Sequence, residues 1–236
     1  DGFQELFELG GFPEPFFSGS QVEARRWSRE YRNLLIADEI TQLEQVQDLG
    51  NLELLILRLP DLVGSPLSVN ALREDLQVSH KAVSTWIGIL ERLYAVFRLS
   101  PFGSPRIRAI KKAQKHYHTD WHSVEETGPR FENMVACHLL KWVHYQQDTQ
   151  GRDLELRYFR DTDGREVDFI LVEKSRPLLA VECKASQAAV DRNLRYWKAR
   201  FPECDAWQIS PSGAKDFVSP EGIRVTHALK LLSELV

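Results

Sequence analysis

No apolar run in this 236-residue chain approaches the roughly 18 residues that a membrane span needs, and no secretory signal opens it. The three cysteines, Cys137, Cys183 and Cys204, are far apart and lack CxxC spacing, which excludes a zinc ribbon and a redox pair. Free thiols in a reducing compartment are the simplest reading, and they point to the cytoplasm. No G-x-x-x-x-G-K-[ST] phosphate loop occurs, so the chain has no means of binding ATP through that motif. There is no internal repeat and no low-complexity tract. A net charge of -4 exerts no global pull toward nucleic acid, so any such role must rest on local patches. The chain also starts at Asp1, mid-pattern and without methionine, which reads as a piece of something longer.

What is present is an α/β pattern in three stretches. Over 1–64, helical spacing is broken at "GGFPEP", where two glycines and two prolines forbid a helix interior. The helix after it puts Trp27, Tyr31, Leu34 and Leu35 on one face, and "LELLILRLPDLVG" is a second apolar helix ended by Pro60 and Gly64. Over 65–122, Ser68 and Ser79 are placed to cap two helices separated by a short turn. The second carries Val83, Trp86, Leu90, Leu93 and Phe97 as a buried stripe. With "YAVFRLSPF" and "RIRAIKKAQKHYHTD" as a hairpin, this stretch reads as a winged helix-turn-helix. Over 123–236, a helix with the stripe Phe131, Val135, Leu139 and Trp142 precedes strands "LELRYFR", "EVDFILV" and "LLAVECKA". A helix through "AAVDRNLRYWKARF", a strand "DAWQIS" and a closing helix "HALKLLSELV" complete an α/β domain of ordinary size.

Two of those apolar strands carry acids. Side chains alternate along a strand, so Glu182 and Lys184 share one face while Val181 and Cys183 take the other. A turn of odd length, such as 174–176, would set Asp168 opposite Glu182 with their Cβ atoms about 5 Å apart. Like charges so placed repel and require a positive neighbour. Lys184 is one candidate. A divalent cation is the better one, since two carboxylates, a backbone carbonyl and water make a hard oxygen site suited to magnesium. The plainer alternative is a set of salt bridges on an exposed sheet face. Two features count against it: the strands are apolar on both sides of the acids, and the order of Glu132, Asp168 and Glu182-x-Lys184 is more specific than any part.

That order resembles the PD-(D/E)xK, or restriction-endonuclease-like, nuclease fold. More narrowly, "GPRFENMVACHLL", "REVDFIL" and "VECKAS" resemble the C-terminal domain of a large prokaryotic family of AAA+-type ATPases, in which a P-loop ATPase precedes a winged helix and then this domain. The front half is similar too, through "GGFPEP", the Trp27 and Tyr31 helix, "VSHKAVSTWIGILERLYAVFRLSPF" and "KHYHTD". "HTDW" departs from the family's usual Asp-Thr-Gly, in the connector rather than the site. The resemblance implies a lid-like segment, a winged helix and a nuclease-like domain with a mixed central sheet. It makes Asp168 and Glu182 metal ligands, with Cys183 lending only its carbonyl. Lys184 becomes the water-positioning lysine and Glu132 a helper on the first helix. The cofactor implied is magnesium or manganese, and the partners are nucleic acid, with DNA favoured, and an upstream ATPase domain that alone would bind ATP.

Weaker signals accompany this set. Arg98, Arg106, Arg108, Lys111, Lys112 and Lys115 form an acid-free run on the expected wing, fit either for phosphate contact or for docking the ATPase. Lys81, Ser84 and Thr85 face away from the helix stripe and could reach base edges, although many winged helices serve only to pack against protein. Gln187 could touch a phosphate or be merely solvated. His116, His118 and His122 invite a zinc site but lack a fourth ligand at a convincing spacing. The expected function is magnesium-dependent hydrolysis of a nucleic-acid phosphodiester. A non-catalytic module gripping nucleic acid or protein is the alternative, and a dimerisation domain is a third that leaves the acids unexplained.

Overall fold

The computed structural model describes residues 2–36, 48–103 and 114–235. The chain is mixed α/β and divides into two compact units, Asp1–Arg98 with Lys115–Asn133 and Leu99–Gln114 with Met134–Val236.

The first unit begins with helices α1 (Gly2–Leu9), α2 (Pro13–Ser18) and α3 (Gln21–Leu34). The expected break is shorter than the sequence suggested. Only 10–12 stay non-helical, because Pro13 sits at the first position of α2, where a missing N–H costs nothing. Gly11 is required there: a Cβ would lie 2.2 Å from the indole of Trp121. On α3 the buried positions are Ala24 and Ser28, with Leu35 just beyond its end, while Leu34 is exposed. Helix α4 (Leu49–Arg58) passes into a 3-10 turn that holds Pro60, then α5 (Val69–Leu76) and α6 (His80–Arg92) follow. Ser68 and Ser79 cap them as expected, accepting from the N–H of Ala71 and of Ala82. Leu52, Leu55, Leu72, Val83, Trp86 and Leu90 share one core with Val96 of strand β1 (Val96–Leu99), which pairs with β2 (Lys115–His118). The basic positions Arg106, Arg108, Lys111 and Lys112 lie outside the described residues.

Helix α7 (Thr127–Gln150) gives its first turns to the first unit and the remainder to the second. Phe131, Val135 and Leu139 are buried as expected, but the next core position is Val143 and Trp142 is half-buried.

The second unit is built on a six-stranded sheet in the order β3-β4-β5-β6-β8-β7. Its strands are β3 (Leu154–Arg160), β4 (Glu166–Glu173), β5 (Arg176–Cys183), β6 (Asp205–Ser210), β7 (Phe217–Val218) and β8 (Ile223–His227). β3, β4 and β5 form the antiparallel meander read from the sequence, and β5, β6 and β8 run parallel. β7 and β8 are additions to the expected set. They are too short to show a period, and β7 is exposed. Helix α8 begins at Arg192 rather than upstream, because Asp191 caps it, and α9 (Ala228–Glu234) closes the described chain. α8 (Arg192–Arg200) lays Leu194 and Trp197 on Ile170, Ala180, Ala206 and Ile223. The opposite face of the sheet buries Phe169, Leu171, Val181 and Ile209. Among the described residues no helix is long and apolar enough to cross a membrane.

Candidate functional site

The hairpin β4–β5 turns on two residues, Lys174 and Ser175, both with positive φ. An even turn of this kind pairs Glu173 with Arg176 and Val172 with Pro177. The register then shifts by one at Leu178, after which Leu171 faces Leu179 and Phe169 faces Val181. The sequence argument expected an odd turn. The structure reaches the same register by an even turn and a bulge, and one more step along it sets Asp168 opposite Glu182. A second bulge lies on the other side of β4, where Asp168 and Phe169 together face Tyr158. Asp168 is therefore aimed by irregular backbone on both flanks of its strand. Its Oδ2 accepts the Cys183 N–H at 2.9 Å, which ties the end of β5 to β4.

Glu182 follows Ala180 on the face that α8 covers, just past the apolar layer. It is 7% exposed. Its Oε1 accepts from Lys184 Nζ at 2.8 Å, and its Oε2 is buried with no hydrogen-bond partner. Burial, and then the negative charge of Asp168, push its carboxyl up to about 9, with the Lys184 ammonium opposing them. Lys184 lies one residue past β5, where its N–H extends the parallel ladder to Ile209 O at 2.9 Å. Burial works against its charge, but hydrogen bonds to Asp191 and Glu182 prevail and hold its pKa above the usual lysine value. Asp191 is half-buried. Burial would raise its pKa, but the bond from Lys184 outweighs this and keeps it below the ordinary carboxylate value.

Asp168, Glu182, Cys183 and Lys184 are thus brought together in the second unit. Asp191 joins them, as does Gln208, which is buried and stands opposite Glu182 in the parallel pairing of β5 with β6. The sequence reading missed both. An aspartate directly before "RNLRYWKAR" was a legible cap signal, whereas nothing local marked Gln208. Glu132 belongs to the first unit, where its Oε1 accepts from Lys115 Nζ at 3.1 Å and Tyr117 Oη at 2.7 Å. Lys81, Ser84 and Thr85 are exposed on α6. Gln187 donates to Lys215 O at 2.9 Å and secures the 213–215 loop. His116 and His118 are buried, and burial pushes them down to about 4 and about 3.

Among the described residues no group of three or more His, Cys, Asp or Glu side chains could hold a metal ion. A cation here would therefore rest on two carboxylates, a backbone carbonyl and water. The residues fit that demand in one respect that matters. A buried, partnerless carboxylate oxygen beside a second acid leaves an unmet need for positive charge.

Residues 1–121 match the family described as a domain of unknown function, DUF8612, and residues 127–219 match a second such family, DUF4143. No curated protein and no solved structure matches the chain.

Proposed function

The chain belongs to the DUF8612 family, and from that starting point we propose that its second unit is a nuclease-like domain of the PD-(D/E)xK kind, acting on nucleic acid with magnesium or manganese. The observation that carries this reading is the buried Glu182 Oε2, left without a partner beside Asp168. Asp168, Glu182 and the Cys183 carbonyl would hold the cation, which when bound lowers the pKa of a water and draws charge from a phosphate oxygen. Lys184 stays protonated, and two of its three N–H groups are committed to Glu182 and Asp191. The third is left to meet an incoming oxygen and to stabilise charge that develops there.

DNA is the favoured substrate, and the first unit is read as a lid-like segment with a winged helix. Its helices α5 and α6, which share one core with Val96 of β1, and the pairing of β1 with β2 support that reading. The second matched family occurs in proteins associated with AAA-type ATPases, which supports an upstream ATPase domain as partner. One observation favours a non-catalytic binding module instead: the Lys184 ammonium is already engaged by Glu182 and Asp191.

Manganese binding and plasmid cleavage by this chain, beside Asp168→Ala and Lys184→Ala, separate the two. Metal-dependent nicking lost in both variants supports the enzyme. Metal bound without nicking in any of the three supports the module, and no metal bound at all refutes the site.

A further inference from the structure

Lys184 is held at a defined point by more than Glu182. Its ammonium also donates to Asp191 Oδ2 at 2.7 Å, while the other oxygen of Asp191 accepts the N–H of Asn193 at 2.7 Å and of Leu194 at 3.4 Å. The carboxylate thus divides its two oxygens between an ammonium and the start of α8. Asp191 is itself held from behind. Its own N–H donates to Gln208 Oε1 at 2.7 Å, and Gln208 Nε2 donates to the carbonyls of Ala188 and Ala189, each at 3.1 Å. Gln208 is fixed in turn by its place on β6 beside Glu182. The circuit runs from β5 through Lys184 and Asp191 to Gln208 on β6 and back to β5, and it closes within the second unit.

A cap needs only one oxygen, and serine, threonine or asparagine would supply it. A lysine satisfied by Glu182 alone would keep a mobile four-carbon stem. The second oxygen and the formal charge of Asp191 therefore have a use that capping does not explain. We propose that Asp191, backed by Gln208, is a positioning residue that fixes the Lys184 ammonium over the Asp168 and Glu182 pair. This rests on the reading of Lys184 as the working cation of the proposed site.

The test compares Asp191→Asn, Asp191→Ala and Lys184→Arg in the whole chain. The 15N resonance of a lysine Nζ is sharp only where its ammonium is held and shielded, and its absence from Lys184→Arg assigns it. The wild type is expected to show it. Asp191→Asn should lose it while the amide shifts of Asn193 and Leu194 stay near wild type, because asparagine still caps α8. Asp191→Ala should lose both. Where the wild type cleaves, Asp191→Asn should lower kcat roughly 10- to 100-fold with KM little changed, as loss of a supporting partner does. A resonance that survives in Asp191→Asn, or is missing from the wild type, overturns the proposal, as does cleavage that falls only when the cap is lost. The resonance responds whether or not the wild type cleaves, so failure of the nuclease reading is told apart from failure of this one.

Discussion

Replacing Glu182 by glutamine should change the pH dependence of stability in a calculable way. Folded, Glu182 keeps its proton up to about 9, whereas its ordinary value is 4.5. Between these values the native chain binds a proton that the unfolded chain has released, so the group's contribution is complete at low pH and is lost as pH rises. Each pH unit in that window is worth about 1.4 kcal/mol, which makes the loss on the order of 3 kcal/mol between about pH 6 and about pH 8. Lys184 and Asp191 titrate outside this range, one raised above its usual value and the other lowered below it. The buried His116 and His118 and the half-buried His138 act in the opposite sense, since their depressed values favour the folded chain as pH rises through the unfolded histidine range. They act equally on wild type and variant and cancel in the difference. Glutamine mimics the protonated acid in shape and keeps an oxygen for Lys184. Urea unfolding with a chelator present should therefore find the two proteins of similar stability near pH 5, with Glu182→Gln gaining steadily above it. A difference that stays constant from pH 5 to pH 8 would refute the reasoning, because it would mean that Glu182 is ionised in the native chain. Manganese added at pH 8 should narrow the gap by stabilising the wild type alone.

Two further changes probe the scaffold. Gly11→Ala places a methyl group 2.2 Å from the buried Trp121 ring, closer than any contact allows. A loss of about 1–3 kcal/mol in urea unfolding is expected, and an unchanged midpoint would show that the α1–α2 junction moves freely. Deleting Leu178 together with Leu179 removes the bulge residue and one paired residue while keeping the two-residue turn, so the β4–β5 register slips by one and Asp168 comes to lie opposite Cys183 instead of Glu182. Metal binding measured by manganese titration should vanish, and wild-type affinity in the deletion would show that the register does not set the site.

Much of the scaffold was legible because its signals are local. The caps at Ser68 and Ser79, the stripe through Phe131, Val135 and Leu139, and the meander from β3 to β5 each follow from spacing that a few residues impose on themselves. The same reasoning failed where locality failed. Leu34 and Trp142 hold stripe positions yet face solvent in whole or in part, since helix phase alone does not say where the covering element ends. β7 and β8 escaped notice because short strands take their identity from the neighbour they pair with.

The acids themselves divide along the same line. Alternation along β5 was enough to put Glu182 and Lys184 on one face, and composition was enough to show that those charges stood among apolar residues. Whether they were buried, paired or repelled depended on which strands lay beside them and in what register. Only the folded chain supplies the two bulges that aim Asp168, the α8 covering that removes water from Glu182, and the Gln208 and Asp191 contacts that hold Lys184. Desolvation and Coulomb coupling depend on distances through space, and residues 168, 182, 191 and 208 acquire those distances only when the sheet closes.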